Sequence, residues 1–245
     1  FGGTTGTSYI GQTTSYGTNY YYFPGYISDF RAVKGTAVYT TTFTPPTAPV
    51  TEISGTGVLM NFNNVGVYDA HSTVNLLTVG NTQANTSIQK YSSASVYFDG
   101  TGDWLLSPPS ANYQLTGDFT IEMWAYASAL TGQHGLVNIT NTSSAGTNGL
   151  AIYFDTGSKL SFWVNGNGGT ATTTATYTTG TWYHIALVRS GTTNTLYVNG
   201  VSSASNSTSP TWPTTPSIGV GRLYNDNTSY TLTGYISDLR ITKGY

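Results

Sequence analysis

An eleven-residue stretch occurs twice and constrains the organisation of this chain more than any other feature. The first copy runs from Gly25 to Gly35 and the second from Gly234 to Gly244. The copies differ at Phe30/Leu239, Ala32/Ile241 and Val33/Thr242. A self-match between distant segments is the signature of repeated structural units. The chain is therefore predicted to contain the end of one unit followed by one whole unit of the same kind.

The repeat predicts three segments. Residues 1–44 are the C-terminal part of a preceding unit, residues 45–53 are a proline-rich linker, and residues 54–245 are a complete domain. Pro45, Pro46 and Pro49 remove backbone donors and stiffen the linker. An ordered extended strand along the domain edge is an equally open alternative for this segment.

The strands of residues 1–39 lack partners if residues 54–245 already form a complete unit. Unpaired strand edges associate readily. We therefore expect a neighbouring copy, or the preceding part of a longer polypeptide, to complete them in a head-to-tail array. The alternative is that residues 1–39 fold onto residues 54–245 as extra strands of one large sandwich.

Low charge and many aromatic residues restrict the class of protein. Charged residues make up 7% of the chain and aromatic residues 14%, with 20 Tyr and 29 Gly. Thr and Tyr favour strands while Gly and Asn favour turns, so many short strands joined by tight turns are predicted. Eight Lys and Arg residues are too few to follow a phosphate backbone, which argues against nucleic acid as a partner.

Two further absences in the sequence exclude classes of site. The chain has no Cys, so disulfides, thiolate zinc sites and thiol catalysis are excluded. No apolar run approaches the ~20 residues that span a bilayer, so no membrane span is predicted. A nearly uncharged surface rich in Tyr and Thr suits a fibre, a particle surface or a glycan-covered exterior.

Hydrophobic alternation predicts the individual strands. Residues 119–125 alternate strictly, with Phe119, Ile121 and Met123 on one face. Residues 181–189 are apolar on both faces, which indicates a central strand and places His184 in a packed core. No segment has a sustained period of 3.6 residues, so no long helix is predicted.

Turn residues and one break in the alternation complete this prediction. Residues 155–158 predict a hairpin, and Asn199-Gly200 has the residues that a type I′ turn requires. Ile236, Leu239 and Ile241 share one face only if an extra residue is inserted between the first two. We therefore predict a β-bulge near Ser237-Asp238.

Five motifs in order carry a resemblance to a known family. They are residues 97–104, 118–124, 182–189, 196–200 and 234–241. Together they resemble a laminin-G-like domain of the concanavalin A-like lectin/glucanase superfamily, over about residues 54–245. Residues 34–39 with 43–49 resemble the links between tandem repeats of phage structural proteins and bacterial surface proteins.

This resemblance implies an all-β fold, namely a two-sheet antiparallel jelly-roll sandwich preceded by the C-terminal strands of a similar repeat. It also implies a binding or structural module rather than an enzyme. Glycosidases of this superfamily need a pair of Glu residues on one strand. The chain has only Glu52 and Glu122, which are on different strands, so no catalytic residues are predicted.

Metal and sugar sites are predicted from residue types. Asp99, Asp103 and Asp238 are the candidate calcium ligands, because calcium prefers hard oxygen ligands and members of the superfamily often bind calcium near the sheet rim. The alternative is that these side chains cap turns or stabilise the bulge. Trp104, Tyr126, Tyr153 and Trp163 are the candidate carbohydrate-binding residues, because aromatic rings offer flat apolar faces. The alternative is that they fill the sandwich or its partner interface.

These observations favour a non-catalytic structural and adhesive repeat of an extracellular fibre or virion appendage. Its expected partners are neighbouring copies of the same or a tandem repeat, and glycans. Its expected location is extracellular, on a cell surface or on a virion. A carbohydrate-binding lectin module, and an accessory domain of a glycoside hydrolase, are the alternative functions.

Overall fold

Antiparallel strand pairing dominates the computed structural model of this chain. The structure describes residues 12–14, 20–24, 30–35, 37–48, 51, 53–54, 56–60, 76–91, 94–141, 148–224 and 229–244. In these ranges the only helices are two 3₁₀ turns, Ala111–Tyr113 and Asn167–Gly169. The prediction that the chain has no long helix is confirmed for the residues described.

The chain forms two compact units, Phe1–Asn64 and Val65–Tyr245. In its described residues the first unit has four short strands, which are β1 (Gln12–Thr14), β2 (Tyr20–Tyr22), β3 (Phe30–Val33) and β4 (Thr56–Met60). β1 pairs with β2, and β3 pairs with β4. β4 lies in the predicted domain of residues 54–245, so the expectation that the strands of residues 1–39 lack partners there does not hold for β3. The boundaries of the repeat domains remain a prediction.

The described residues of the second unit form fourteen strands, arranged in two antiparallel sheets of seven. The strands of the front sheet, in spatial order, are β16 (Val201–Asn206), β15 (Thr193–Val198), β14 (Trp182–Ser190), β9 (Phe119–Ala127), β18 (Thr233–Lys243), β7 (Ser95–Asp99) and β6 (Gln83–Asn85). Those of the back sheet are β13 (Thr170–Thr172), β12 (Lys159–Val164), β11 (Leu150–Asp155), β10 (His134–Thr140), β17 (Ser217–Val220), β8 (Trp104–Leu106) and β5 (Leu77–Val79). This arrangement confirms the predicted two-sheet antiparallel jelly-roll sandwich.

One continuous apolar core lies between the two sheets. Phe119, Ile121 and Met123 of β9 are fully buried in it, as their alternation predicts. Ile139 and Phe162 enter the same core from the back sheet. Because successive strand residues point to opposite faces, the intervening residues of β9 lie on the outer face of the front sheet.

The predicted turns and bulge are present. β11 and β12 form the hairpin around residues 156–158. Asn199 and Gly200 have φ values of 50° and 79°, as a type I′ turn requires. The pairing of β18 with β9 shifts register between Ser237 and Arg240, which is the predicted bulge. No described helix is long and apolar enough to cross a membrane.

Candidate functional site

A row of four aromatic side chains crosses the outer face of the front sheet. Strand pairing places Trp182 opposite Tyr126, Tyr126 opposite Tyr235, and Tyr235 opposite Tyr97. The corresponding ring centroids are 5.5, 5.5 and 5.0 Å apart. We call these four residues the aromatic row.

The rings of the aromatic row are accessible along the outer face. All four residues are half-buried, so part of each side chain is open to solvent. Burial, followed by proximity to Tyr97 and Tyr126, raises the pKa of the Tyr235 phenol. The row crosses four adjacent strands and therefore extends about 14 Å, because neighbouring strands lie roughly 4.8 Å apart.

Trp124 lies two residues before Tyr126 on the same outer face of β9. His184 of the neighbouring strand contacts its indole, with ring centroids 5.2 Å apart. Tyr91 stands nearly perpendicular to the indole at 5.4 Å, and the Lys90 ammonium lies 4.1 Å from its centroid. Trp124 therefore has aromatic neighbours on two sides and a cation against its ring.

Glu122 connects two basic side chains next to Trp124. Arg240 donates from Nε to Glu122 Oε1 at 2.7 Å, and its Nη2 donates to the same oxygen. His184 Nε2 lies 3.4 Å from Glu122 Oε2. His184 therefore belongs to a polar network on the outer face, and the prediction that it is a core histidine is wrong. The alternation of β14 places its side chain on the face opposite to Ile185 and Leu187.

An open pocket of about 370 Å³ lies over this network. It is lined by Glu122, Trp124, His184, Asp238, Leu239 and Arg240. The pocket thus combines an indole face with carboxylate acceptors and guanidinium donors. We call it the bulge pocket, because Asp238 and Leu239 belong to the bulge of β18.

Of the four predicted sugar-binding residues, only Tyr126 lies in the aromatic row. Trp104 lies in β8 of the back sheet, where the Arg222 guanidinium is 4.4 Å from its ring centroid. Tyr153 and Trp163 are 5% and 1% exposed and pack in a separate small cluster on the back sheet. Their ring faces are therefore covered, by a cluster separate from the core between the two sheets.

Tyr153 is also the most strongly perturbed phenol in the described part of the chain. Burial, followed by the negative charge of Asp155, raises its pKa to about 12. Trp163 Nε1 is buried without a hydrogen-bond partner, and its ring stacks near Tyr224 at 6.3 Å between centroids. These features are those of a packed cluster and not of an open binding surface.

The three predicted calcium ligands do not converge. Asp103 is fully buried, and its two oxygens accept backbone N–H groups of Asn81 and Asp99, at 2.8 and 3.0 Å. Burial is the main cause that raises the pKa of the Asp103 carboxyl. Asp99 accepts from the backbone of Thr101 at 2.6 Å. Both carboxylates thus hold the turn between β7 and β8.

Asp238 lies at a different place on the front sheet. Asp99 pairs with Thr233 at one end of β18, and Asp238 follows five residues later on the same strand. Among the described residues no group of three or more His, Asp or Glu side chains is arranged to hold a metal ion. Asp103 accepts one backbone N–H at each of its oxygens, and the calcium site stays a prediction.

Sequence reasoning missed five residues of this surface, which are Tyr97, Trp124, Trp182, Tyr235 and Arg240. Each of them occupies an outward position of a strand whose apolar alternation is visible in the sequence. That alternation tells which residues face outwards. It does not tell which strands are neighbours, and only the strand order brings the five side chains together.

Comparison with known proteins agrees with the fold. The family model described as the concanavalin A-like lectin/glucanases superfamily, of laminin G type, matches residues 98–244, which is more than half of the chain. No curated protein matches the chain significantly.

Several solved structures share this architecture. Domain 4 of AbnA, a GH43 extracellular arabinanase from Geobacillus stearothermophilus solved in complex with arabinotriose, superposes with a TM-score of 0.57 at 16% identity, over 75% of this chain and 88% of that one. A mutant of HCR/D gives a TM-score of 0.51 at 14% identity, over 69% and 43% of the two chains. Domains LG4-5 of the mouse laminin alpha1 chain give 0.47 at 22% identity, over 60% and 40%.

The chain spans less than half of the HCR/D and laminin chains. At 14% and 16% identity, the likeness to HCR/D and to domain 4 of AbnA concerns the fold alone. The family model, the ordered motifs and the two seven-stranded sheets agree. The chain belongs to the laminin-G-like domains of the concanavalin A-like lectin/glucanase superfamily.

Proposed function

We propose that this chain is a non-catalytic adhesive module that binds carbohydrate along the outer face of its front sheet. The aromatic row is the observation that carries the proposal. Its four half-exposed rings are 5.0–5.5 Å apart and belong to four adjacent strands. Paired strands hold these rings in place, so little side-chain freedom is lost when a ligand binds.

Ring chemistry favours a sugar as the ligand. Tyr and Trp offer an apolar face for stacking and a polar edge for hydrogen bonds. A pyranose ring has the complementary surface, with C–H groups on its faces and hydroxyl groups around its edge. The row itself has no charged side chain, which suits an uncharged ligand in a chain with only 7% charged residues.

A binding role without catalysis agrees with the carboxylates of the front sheet. Glycoside hydrolysis uses two carboxyl groups, of which one must act as an acid. Glu122 is held by Arg240 and His184, and Asp238 is exposed to solvent. Neither lies in the apolar environment that makes a carboxyl group an effective general acid at neutral pH. Glu52 lies outside the described residues.

Glycan-array screening of the full chain, followed by titration calorimetry on the best ligand, tests this function. Tyr126→Ala and Trp182→Ala are each expected to weaken binding about tenfold, or about 1.4 kcal/mol, because each removes one stacking face. Tyr126→Phe keeps the ring and is the matched control, with affinity within about threefold of the parent. An array without any bound glycan, or full affinity in Tyr126→Ala, would contradict the proposal.

A structural repeat of a fibre or virion appendage is the second candidate function. The duplicated stretch supports it, because both described copies are strands with an antiparallel partner. Phe30–Val33 is β3 and pairs with β4, while residues 239–242 belong to β18, of which residues 240–242 pair with β9. In this role neighbouring copies, or a tandem repeat of the same kind, are the partners of the chain.

Light scattering and electron microscopy of the full chain test the structural role. Head-to-tail association is expected to give particles whose mass grows with concentration and that form filaments. A particle that stays monomeric at all concentrations would contradict association between copies.

Both candidate functions place the chain outside the cell, on a cell surface or on a virion, where a weakly charged surface rich in Tyr and Thr is suitable.

A further inference from the structure

The bulge of β18 turns one carboxylate towards the bulge pocket. Ser237 pairs with Trp124 and Arg240 pairs with Glu122, so three steps along β18 match two steps along β9. The extra residue, Asp238, is exposed, while Leu239 packs against the core. Bulges of this kind redirect a side chain and are frequent next to binding sites.

Asp238 occupies a backbone conformation that an aspartate adopts at a cost. Its φ is 52°, in the left-handed region, where a residue with a Cβ is disfavoured and a glycine is not. The duplicated stretch also has Asp at this position, as Asp29. Both copies thus have Asp at this position, although they differ at three others. Strain of this kind is characteristic of functional positions.

The network beneath the pocket leaves both donors and acceptors open. Two of the five guanidinium N–H groups of Arg240 are directed at Glu122, and the side chain is 72% exposed. Asp238 Oδ2 accepts from Ser237 Oγ at 2.9 Å, which leaves its other oxygen for a ligand. The indole of Trp124 adds an apolar surface between these groups.

We infer that the bulge pocket binds an uncharged sugar ring through adjacent hydroxyl groups, with Asp238 and Arg240 as the residues that determine specificity. This inference rests on the proposed function and names its class of ligand. A hydroxyl group both donates and accepts, so neighbouring hydroxyls satisfy a carboxylate and a guanidinium at once. The pocket thereby extends the aromatic row with directional hydrogen bonds.

The charges around the pocket disfavour charged sugars. A uronate carboxylate entering the pocket meets Asp238 and Glu122 as well as Arg240. A protonated amino sugar meets Arg240 and the nearby ammonium of Lys90 as well as the two carboxylates. Attraction and repulsion therefore offset each other for either charge, and a charged sugar loses its hydration without a net electrostatic gain. Bringing like charges together is unfavourable, whereas an uncharged ligand meets neither repulsion.

Calorimetry with three oligosaccharides of equal length tests the ligand class. The probes are the best neutral oligosaccharide from the glycan array, an oligogalacturonate and a chitosan oligosaccharide, each titrated into the full chain near pH 6. Binding of the neutral probe is expected to be at least tenfold tighter than binding of either charged probe. A higher affinity for oligogalacturonate or chitosan would overturn the inference.

Two substitutions test the assigned residues. Asp238→Asn tolerates the positive φ and keeps an acceptor for Ser237, and Arg240→Gln removes the guanidinium. Each is expected to weaken binding of the neutral probe about tenfold. Asp118→Asn and Lys159→Gln change charges outside the pocket and are the controls. Thermal unfolding of every variant verifies that the fold is retained.

The outcomes separate this inference from the proposed function. If Tyr126→Ala weakens binding while Asp238→Asn and Arg240→Gln have no effect, the aromatic row binds sugar and the assignment of the pocket is wrong. If the parent protein binds no glycan, the proposed function itself fails. If all three substitutions weaken binding of the neutral probe, both are supported.

Discussion

Arg240 and Glu122 lie directly opposite each other on neighbouring strands, and Arg240 Nε donates to Glu122 Oε1 at 2.7 Å. Their pairing follows the bulge at Asp238, which adds one residue to β18 between the partners of Trp124 and Glu122. The bulge also returns Leu239 and Ile241 to the core side of the sheet. The same local irregularity therefore maintains the core and builds the bulge pocket.

Substitutions of Asp238 are expected to separate backbone strain from side-chain chemistry. Asp238→Val should lower the free energy of unfolding by about 1–2 kcal/mol, because a β-branched residue is strongly disfavoured at positive φ. Asp238→Asn and Asp238→Gly should stay within about 0.5 kcal/mol of the parent, because both residues tolerate this conformation. Urea denaturation measures all three. Equal stability of the Val and Asn variants would show that φ at this position is unimportant.

Glu122→Gln is expected to change stability little. Its ion pair with Arg240 is largely exposed on the arginine side, and such pairs contribute about 0.2–1 kcal/mol. Urea denaturation measures this difference. Repeating the measurement at high salt provides the control, since screening should abolish the small difference.

The parent protein is expected to release no reducing sugar from a β-glucan, because the front sheet lacks a second carboxyl group suited to acid catalysis. Turnover by the parent that disappears in Glu122→Gln would contradict the absence of catalysis.

Asp103 is expected to give a pH-dependent contribution to stability. Burial raises the pKa of its carboxyl above the ordinary value of 3.8, so the folded protein holds this proton more tightly than the unfolded chain. Its contribution to stability is therefore complete below pH 3.8 and decreases as pH rises through the folded pKa. The stability advantage of the parent over Asp103→Asn should shrink as pH rises above 3.8 through the folded pKa.

Asp103→Ala provides the companion measurement. The stability difference between the parent and Asp103→Ala should change with pH in the same direction as the difference for Asp103→Asn. Asp103→Ala should be less stable than Asp103→Asn at every pH, because the backbone N–H groups of Asn81 and Asp99 lose their acceptors. An unsatisfied buried donor costs about 1–3 kcal/mol. Chemical denaturation at a series of pH values checks both variants. A stability difference between parent and Asn variant that does not change with pH would contradict the assigned cause.

Substitution by alanine is expected to destabilise the protein at one glycine and to have almost no effect at another. A Cβ at Gly135 would collide with the backbone of Arg222 and Leu223, which cannot move without disturbing strand β10. Gly135→Ala should therefore lower the free energy of unfolding by about 1–3 kcal/mol. A Cβ at Gly168 meets no atom within 4 Å. Gly168→Ala should remain within about 0.5 kcal/mol of the parent, and thermal unfolding compares the two.

Local features of this protein were predictable from its sequence. The alternation of Phe119, Ile121 and Met123 identified the buried face of β9, and Asn199-Gly200 identified the type I′ turn between β15 and β16. The spacing of Ile236, Leu239 and Ile241 identified the bulge. Each of these depends on a few adjacent residues, because strand periodicity and turn conformation are determined by local backbone geometry.

The aromatic row was decided by the tertiary structure. Tyr97, Tyr126, Trp182 and Tyr235 form a row only because β14, β9, β18 and β7 are neighbours in the front sheet. Trp163 and Tyr153 alternate with core residues in the same way as Tyr126, yet a second cluster with Leu223 covers them. The sequence identifies side chains that point away from the core. Whether such a side chain is covered or exposed depends on segments distant in the chain, and local periodicity contains no information about them.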